Sequence, residues 1–275
     1  MGKKSRRKSP KVQEVAKPVA FTASGKPLLD PNVFGPVPDP DQVKAFWGWF
    51  ETNEDELFRI FSETKDYVAF SEPIEEAFER VFGSDRMIVF ECTWSVDNAC
   101  EHILLTLTPD GSRDRFNLVL SLCDASPSFH RWNVLPFRPR DERMNKIAIA
   151  PGGVPMTFDT ESVRYLLTNV GRERNGLLNL VLFTDKYYPG NEEACQRAIF
   201  PLLDHVLGEY EVVVHIYGMD ITSPEDERFN LSSPLTSLAK DFDLRLSRKF
   251  GKKPKDGWIA LRNTDAIQAR HADKA

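Results

Sequence analysis

Residues 163–221, VRYLLTNVGRERNGLLNLVLFTDKYYPGNEEACQRAIFPLLDHVLGEYEVVVHIYGMDI, decide the fold, because they carry strand, turn, strand, helix and strand signals in unbroken order. Asn175-Gly176 is a hairpin signal, since both residues tolerate the positive φ of a tight turn. Leu177 to Thr184 is apolar on both alternating faces, with Leu178, Leu180 and Leu182 on one and Leu177, Val181 and Phe183 on the other. That is the pattern of a strand covered on both sides. Tyr187-Tyr188-Pro189-Gly190 ends it. Asn191 is placed to cap a helix with Glu192 and Glu193 in its first turn and Cys195, Ala198, Ile199, Leu202, Leu203 and Val206 on one stripe. Pro201 predicts a kink near Arg197 rather than a break, and Gly208 takes the left-handed position at the helix end. Tyr210 to Tyr217, with three consecutive valines, reads as a strand near the middle of the sheet.

Met87 to Arg138 has the same order of elements. Ile88, Phe90, Cys92 and Trp94 alternate inward, as do Ile103, Leu105 and Leu107 in the next strand. Pro109-Asp110-Gly111 turns the chain, and Ser112 caps a helix bearing Phe116, Val119, Leu120 and Cys123. Trp132 to Arg138 is a strand that Pro136 confines to an edge or a bulge. Lys146 to Ala150 and Val154 to Phe158 flank Pro151-Gly152-Gly153 as a hairpin. Upstream, Asp39-Pro40 starts a helix with Val43, Phe46, Trp47 and Phe50 on one face. Thr52 with Asp55 reads as a capping box that restarts it through Leu57, Phe58 and Phe61. A third helix opens at Ser71-Glu72-Pro73 and stops at Gly83; a last short one opens at Ser233-Pro234 with Leu235, Leu238, Ala239 and Phe242 inward.

The expectation is an α+β protein: N-terminal helices, then two ββαβ-type units forming mixed or antiparallel sheet with helices packed on it. Residues 1–38 read as a disordered basic arm, 39–247 as the globular domain (sub-units 39–145 and 146–247), and 248–275 as a basic flexible tail. The net charge of −5 conceals this asymmetry. Lys3, Lys4, Arg6, Arg7 and Lys8 make a basic head, and Arg248, Lys249, Lys252, Lys253 and Lys255 a basic tail, candidates for nucleic-acid or ribosome contacts. Phe250 and Trp258 interleave with the tail, as stacking on bases would need; the plain alternative is a pair of solubilising arms. No apolar run approaches the roughly 20 residues of a membrane span. The four cysteines form no CxxC pair, which suits buried free thiols in a reducing cytoplasm.

Three segments, FWGWFETNEDELF from Phe46, HRWNVLPFRPR from His130 and AIFPLLDHVLGEYEV from Ala198, resemble a group of uncharacterised bacterial proteins. The likeness spans Phe46 to Ile221 and implies no activity and no catalytic residues.

Chemistry has few candidates. His130, Arg131, Arg138, Arg140 and Arg143 bracket the edge strand, where Arg forks suit phosphate or a carboxylate-rich partner. Charge that keeps an edge from pairing is the alternative. Trp47 and Trp49 offer an aromatic binding surface, against the plainer reading that they are anchors packing the N-terminal helix on the sheet. Cys195 stands in the first turn of a helix, but on its buried stripe, and His205 and His215 with Asp204 lack metal-ligand spacing. No phosphate loop or nucleophile elbow occurs, and neither a catalytic residue nor a metal or cofactor is implied. The functional expectation is a cytoplasmic protein-binding protein, adaptor, regulatory or immunity-like, without catalysis. The alternative is a nucleic-acid- or ribosome-associated protein using its basic arms.

Overall fold

The computed structural model describes residues 22, 28–64, 66–94, 102–141, 145–149, 156–170 and 177–250. Its first element, α1 (Pro31–Phe34), is one turn capped by Asp30. Leu28 beside it is 1% exposed, and the buried Asn117 side chain ties the segment down by accepting from Leu29 N and donating to Leu29 O and Gly35 O. Leu28 to Gly35, placed by composition in the basic arm, thus pack against the helix that carries Asn117.

α2 (Pro40–Arg59) starts as expected, with the Asp39 carboxylate accepting from Asp41 N and Pro40 in the first turn. The restart at Thr52 does not occur. Its hydroxyl donates back to Gly48 O at 2.8 Å, so it caps nothing, and the helix runs on into a π-helical turn over Ile60–Thr64. α3 (Tyr67–Phe82) opens before Ser71, because Asp66 accepts from Val68 N and Ala69 N; Pro73 lies inside the helix.

β1 (Val89–Trp94) pairs antiparallel with β2 (Ile103–Thr108). α4 (Phe116–Asp124) follows, and β3 (Trp132–Pro136) returns parallel to β2, at the edge that Pro136 requires. Ser112 makes no side-chain cap, and Trp94, expected inward, is 44% exposed. β4 (Lys146–Ile149) and β5 (Met156–Asp159) form a separate antiparallel ribbon. Its Pro151-Gly152-Gly153 turn, like Asn175-Gly176, lies outside the described residues.

The second unit repeats the pairing logic. β6 (Arg164–Asn169) is antiparallel to β7 (Leu178–Phe183), the buried central strand. α5 (Glu192–Leu207) runs through Pro201 as one helix. Asn191 does not cap it; its side chain accepts from Tyr188 N and donates to Lys186 O, fixing the preceding turn. Then comes the largest departure from expectation. Tyr210–Tyr217 is not a central strand: α6 (Glu209–His215) occupies most of it, and β8 (Ile216–Thr222) lies parallel to β7 at the sheet edge. β9 (Ser233–Pro234) joins the opposite edge, and α7 (Leu238–Phe250) buries Leu238, Phe242 and Leu246. Both units thus run antiparallel, helix, parallel, and in each the strand before the helix leads into a buried threonine. Thr108 Oγ1 accepts from Asp110 N at 2.9 Å and Thr184 Oγ1 from Lys186 N at 3.2 Å.

Two hydrophobic cores result. The first gathers α2, α3, α4 and the three-stranded sheet around Phe46, Phe50, Phe78 and Trp132; the second gathers α5, α7 and the four-stranded sheet around Leu180, Leu202 and Phe242. α6 serves both. Tyr210, Val213 and Val214 pack on the first and Val212 on the second. A helix buried on two sides needs apolar residues all round, which is why its valines read as a strand.

Gly35 offers a sharp check on the N-terminal packing. Its φ is +83°, and a Cβ there would stand 1.6 Å from Asp114 O. Gly35→Ala should cost several kcal/mol, at least the ~1–3 kcal/mol of a left-handed strain. Urea unfolding of the two proteins measures it, and a loss under ~0.5 kcal/mol would mean that residues 28–35 do not pack this way.

Candidate functional site

The densest polar arrangement lies where α6 enters between the two cores. Gly208, at φ +88°, breaks the chain between α5 and α6 and delivers Glu209, fully buried, to the end of the β2–β3 pair. Glu209 Oε1 accepts from Thr108 Oγ1 at 2.7 Å and Gly111 N at 3.0 Å, and Oε2 from Arg138 N at 3.1 Å. Glu209 N in turn donates to Arg138 O. Both non-glycine residues of positive φ among the described residues flank this carboxylate: Asp110 at 50° and Phe137 at 63°. Aspartate tolerates that region; phenylalanine there costs ~1–3 kcal/mol. Stacking on Phe116, centroid to centroid 4.5 Å, and contact with Tyr210 of α6 hold Phe137 in place.

Arg138 is the centre of the knot. Its guanidinium meets Glu91 of β1 at 2.7 Å, Asp110 at 2.8 Å and Asp204 of α5 at 3.2 Å. Burial works against its charge, but Glu91, Asp110 and Glu209 outweigh that and raise its pKa. The carboxylates outnumber it. Burial, then the charge of Glu209, pushes Asp204 up to about 7 against the pull of Arg138. Burial also raises Glu209, although its three donors oppose the shift. His205 is lowered, chiefly by burial, and its Nδ1 is buried without a hydrogen-bond partner among the described residues. A buried acid titrating near neutrality is a recognised mark of functional sites and of structural ion-pair networks alike.

A second feature lies along the first core and shares no residue with the knot. A groove of about 550 Å³ runs along α2, walled by Val37, Pro38, Val43, Trp47 and Pro127, with Lys44 and Glu51 at its rim. Ser121 of α4 lines it too; its hydroxyl is buried and has no hydrogen-bond partner among the described residues. Such a group costs about 1–3 kcal/mol unless something supplies a partner.

The residues singled out from sequence divide accordingly. Trp47 is buried, donates to Leu122 O at 3.0 Å and still presents an edge to the groove; Trp49 is half-buried against Phe46 and Phe50. His130 is exposed. Arg131 pairs with Asp55 and lies 4.4 Å over the Phe58 ring, and Arg140 forks onto Asp243 at 2.9 Å. Arg131, Arg138 and Arg140 thus neutralise the chain's own carboxylates at three separate places. Arg248 and Lys249 lie in the last turn of α7. Arg143, Lys252, Lys253, Lys255 and the head residues Lys3, Lys4, Arg6, Arg7 and Lys8 lie outside the described residues. Cys195 is buried, which raises its thiol. Among the described residues no group of three or more His, Cys, Asp or Glu could hold a metal ion. Glu209, Asp110 and Ser121 carry no motif that sequence reading could single out; the Gly208-Glu209 step, a break followed by an acid fit for a helix N-terminus, was the available signal. No protein-family model, curated protein or solved structure matches the chain.

Removing one partner of a buried charge network strands the others. Arg138→Met should therefore destabilise by about 3–5 kcal/mol at pH 8, and by less at pH 6, where Asp204 holds a proton. Denaturant titrations at the two pH values test this; equal losses would mean that Asp204 does not titrate between them.

Proposed function

We propose that the protein acts by binding a partner protein, and that the groove along α2 receives an extended apolar segment of that partner. The Ser121 hydroxyl carries the reading, because it lies in an apolar wall with no hydrogen-bond partner among the described residues, and a bound backbone amide or carbonyl satisfies it. Lys44 and Glu51 supply polarity. They are seven positions apart, about 10 Å along the helix axis, and neither has an ion-pair partner among the described residues. The segment that fits presents a carboxylate toward Lys44, apolar residues or prolines against Trp47 and Val43, and a base toward Glu51. By contrast, Arg131, Arg138 and Arg140 at the β3 edge are occupied within the chain.

The role is that of an adaptor, regulatory or immunity-like protein in a bacterial cytoplasm, working without catalysis. The free thiols of Cys92, Cys123 and Cys195 support a reducing compartment. No helix among the described residues is long and apolar enough to cross a membrane.

Gly48 makes the test clean. It is exposed on α2, it lines the groove, and a Cβ there meets nothing within 4 Å. Gly48→Arg should fill the groove while stabilising the helix by about 0.5–1 kcal/mol. Tagged wild-type protein should retain one stoichiometric partner from its host after nuclease treatment, and the purified partner should lose at least about tenfold in affinity for the variant. Equal affinity for both would remove the groove from the function. Capture that disappears with nuclease and weakens steeply with salt would place it in the basic arms instead.

A further inference from the structure

The knot at Arg138 differs from the groove in kind, because everything in it is already bonded and the charges still do not balance. Three carboxylates, Glu91, Asp110 and Asp204, meet one guanidinium, and a fourth, Glu209, accepts from the backbone N–H of the same arginine. The nearby charges do not correct this. Arg140 lies across Gly208 but forks onto Asp243 of α7, and Glu211 on the same side is a further acid. Burial lowers the pKa of His205, beside Asp204, with Asp141 the acid that opposes this. Asp204 and Glu209 are on consecutive helices, are both buried, and point at the same arginine. Their main chains are tied down on either side, since Gly208 N donates to Asp204 O and Glu209 N to Arg138 O. Like charges held near one arginine are relieved most cheaply when one of the two takes up a proton.

We propose that this knot is a proton-operated latch between the two units. With one proton on the Asp204–Glu209 pair, Glu209 stays inserted against Thr108, Gly111 and Arg138 and α6 is held on the first core. When the proton leaves, the two carboxylates repel across Gly208 and the seam at Glu209 opens. Two features suit the seam to act as the part that yields. Its strained Phe137 backbone gives back energy on release, and α6 is a short helix whose apolar side chains are divided between two cores.

The sign follows from the acids. A carboxyl group that binds its proton more tightly folded than unfolded makes stability fall as pH rises, from its ordinary range up to its raised value. The full-length protein should therefore lose at least about 5 °C of Tm between pH 5.5 and 8.5. Asp204→Asn, which keeps an oxygen facing Arg138 but cannot ionise, should lose less than half of that. Glu209→Gln removes the like charge, so it should move the midpoint of the pH dependence to lower pH rather than abolish it. A merely structural role for either residue would not produce that shift. Hydrogen exchange resolves the location: above neutrality, peptides covering residues 108–111 and 209–215 should exchange faster in the wild type than in Asp204→Asn, after correction for intrinsic rates. Parallel pH profiles in wild type and Asp204→Asn would overturn the latch. So would an opening confined to segments away from α6. Should Asp204→Asn fail to fold, the carboxyl titration of wild-type Asp204 by NMR decides, and a midpoint in the ordinary aspartate range would refute the proposal.

Discussion

Glu209 and Arg138 are joined by two hydrogen bonds, each donated by a backbone N–H of one residue to the other. Arg138 N donates to the Glu209 carboxylate, and Glu209 N donates to the Arg138 carbonyl. Much of the architecture depends on this pair. It joins the end of β3 to the start of α6, and thereby fixes the first core against the second. The carboxylate is a filler from within the chain: it takes the Thr108 hydroxyl and the Gly111 N–H at the carboxyl end of a parallel strand pair, where an open α/β sheet would receive an anionic ligand. Burying it is costly, and three donors with an adjacent guanidinium offset that cost.

Much of the fold was legible in the sequence. The two-faced apolar run at Leu178–Phe183, the stripe from Cys195 to Leu203 and the edge strand at Pro136 all rest on local periodicity, and each takes the place that periodicity indicates. The failures share a cause, which is that tertiary partners overrode a local signal. Thr52 has the letters of a capping box, yet an uninterrupted helix costs less than a restart. Val212, Val213 and Val214 favour a strand by propensity, but Glu209 anchors a helix there and two cores cover it. Leu28 stands in a segment of low hydrophobicity and is buried because Asn117, nearly ninety positions away, binds its neighbours.

The candidate site was much less legible. The arginines of the β3 edge were visible as a cluster, but their partners come from β1, α2, α5 and α7, and no spacing rule connects those elements. Ser121 looks like any helix serine until its surroundings are known. Trp47 shows how the two readings of an aromatic residue can hold together: it is an anchor bonded to Leu122 O, and one edge of it forms the floor of the groove. The groove and the knot share no residue, so either can be altered without touching the other.

The central structural claim is that Arg138 and Glu209 are energetically one unit. The most direct measurement is a double-mutant cycle with Arg138→Met and Glu209→Gln, each variant and the pair unfolded in urea at pH 7. Residues in one buried network couple by about 0.5–3 kcal/mol, and this pair should couple by more than ~1 kcal/mol. Additivity within about 0.3–0.5 kcal/mol would contradict the account: the guanidinium and the carboxylate would then not act as one unit, and the Arg138 backbone would be the part that holds Glu209.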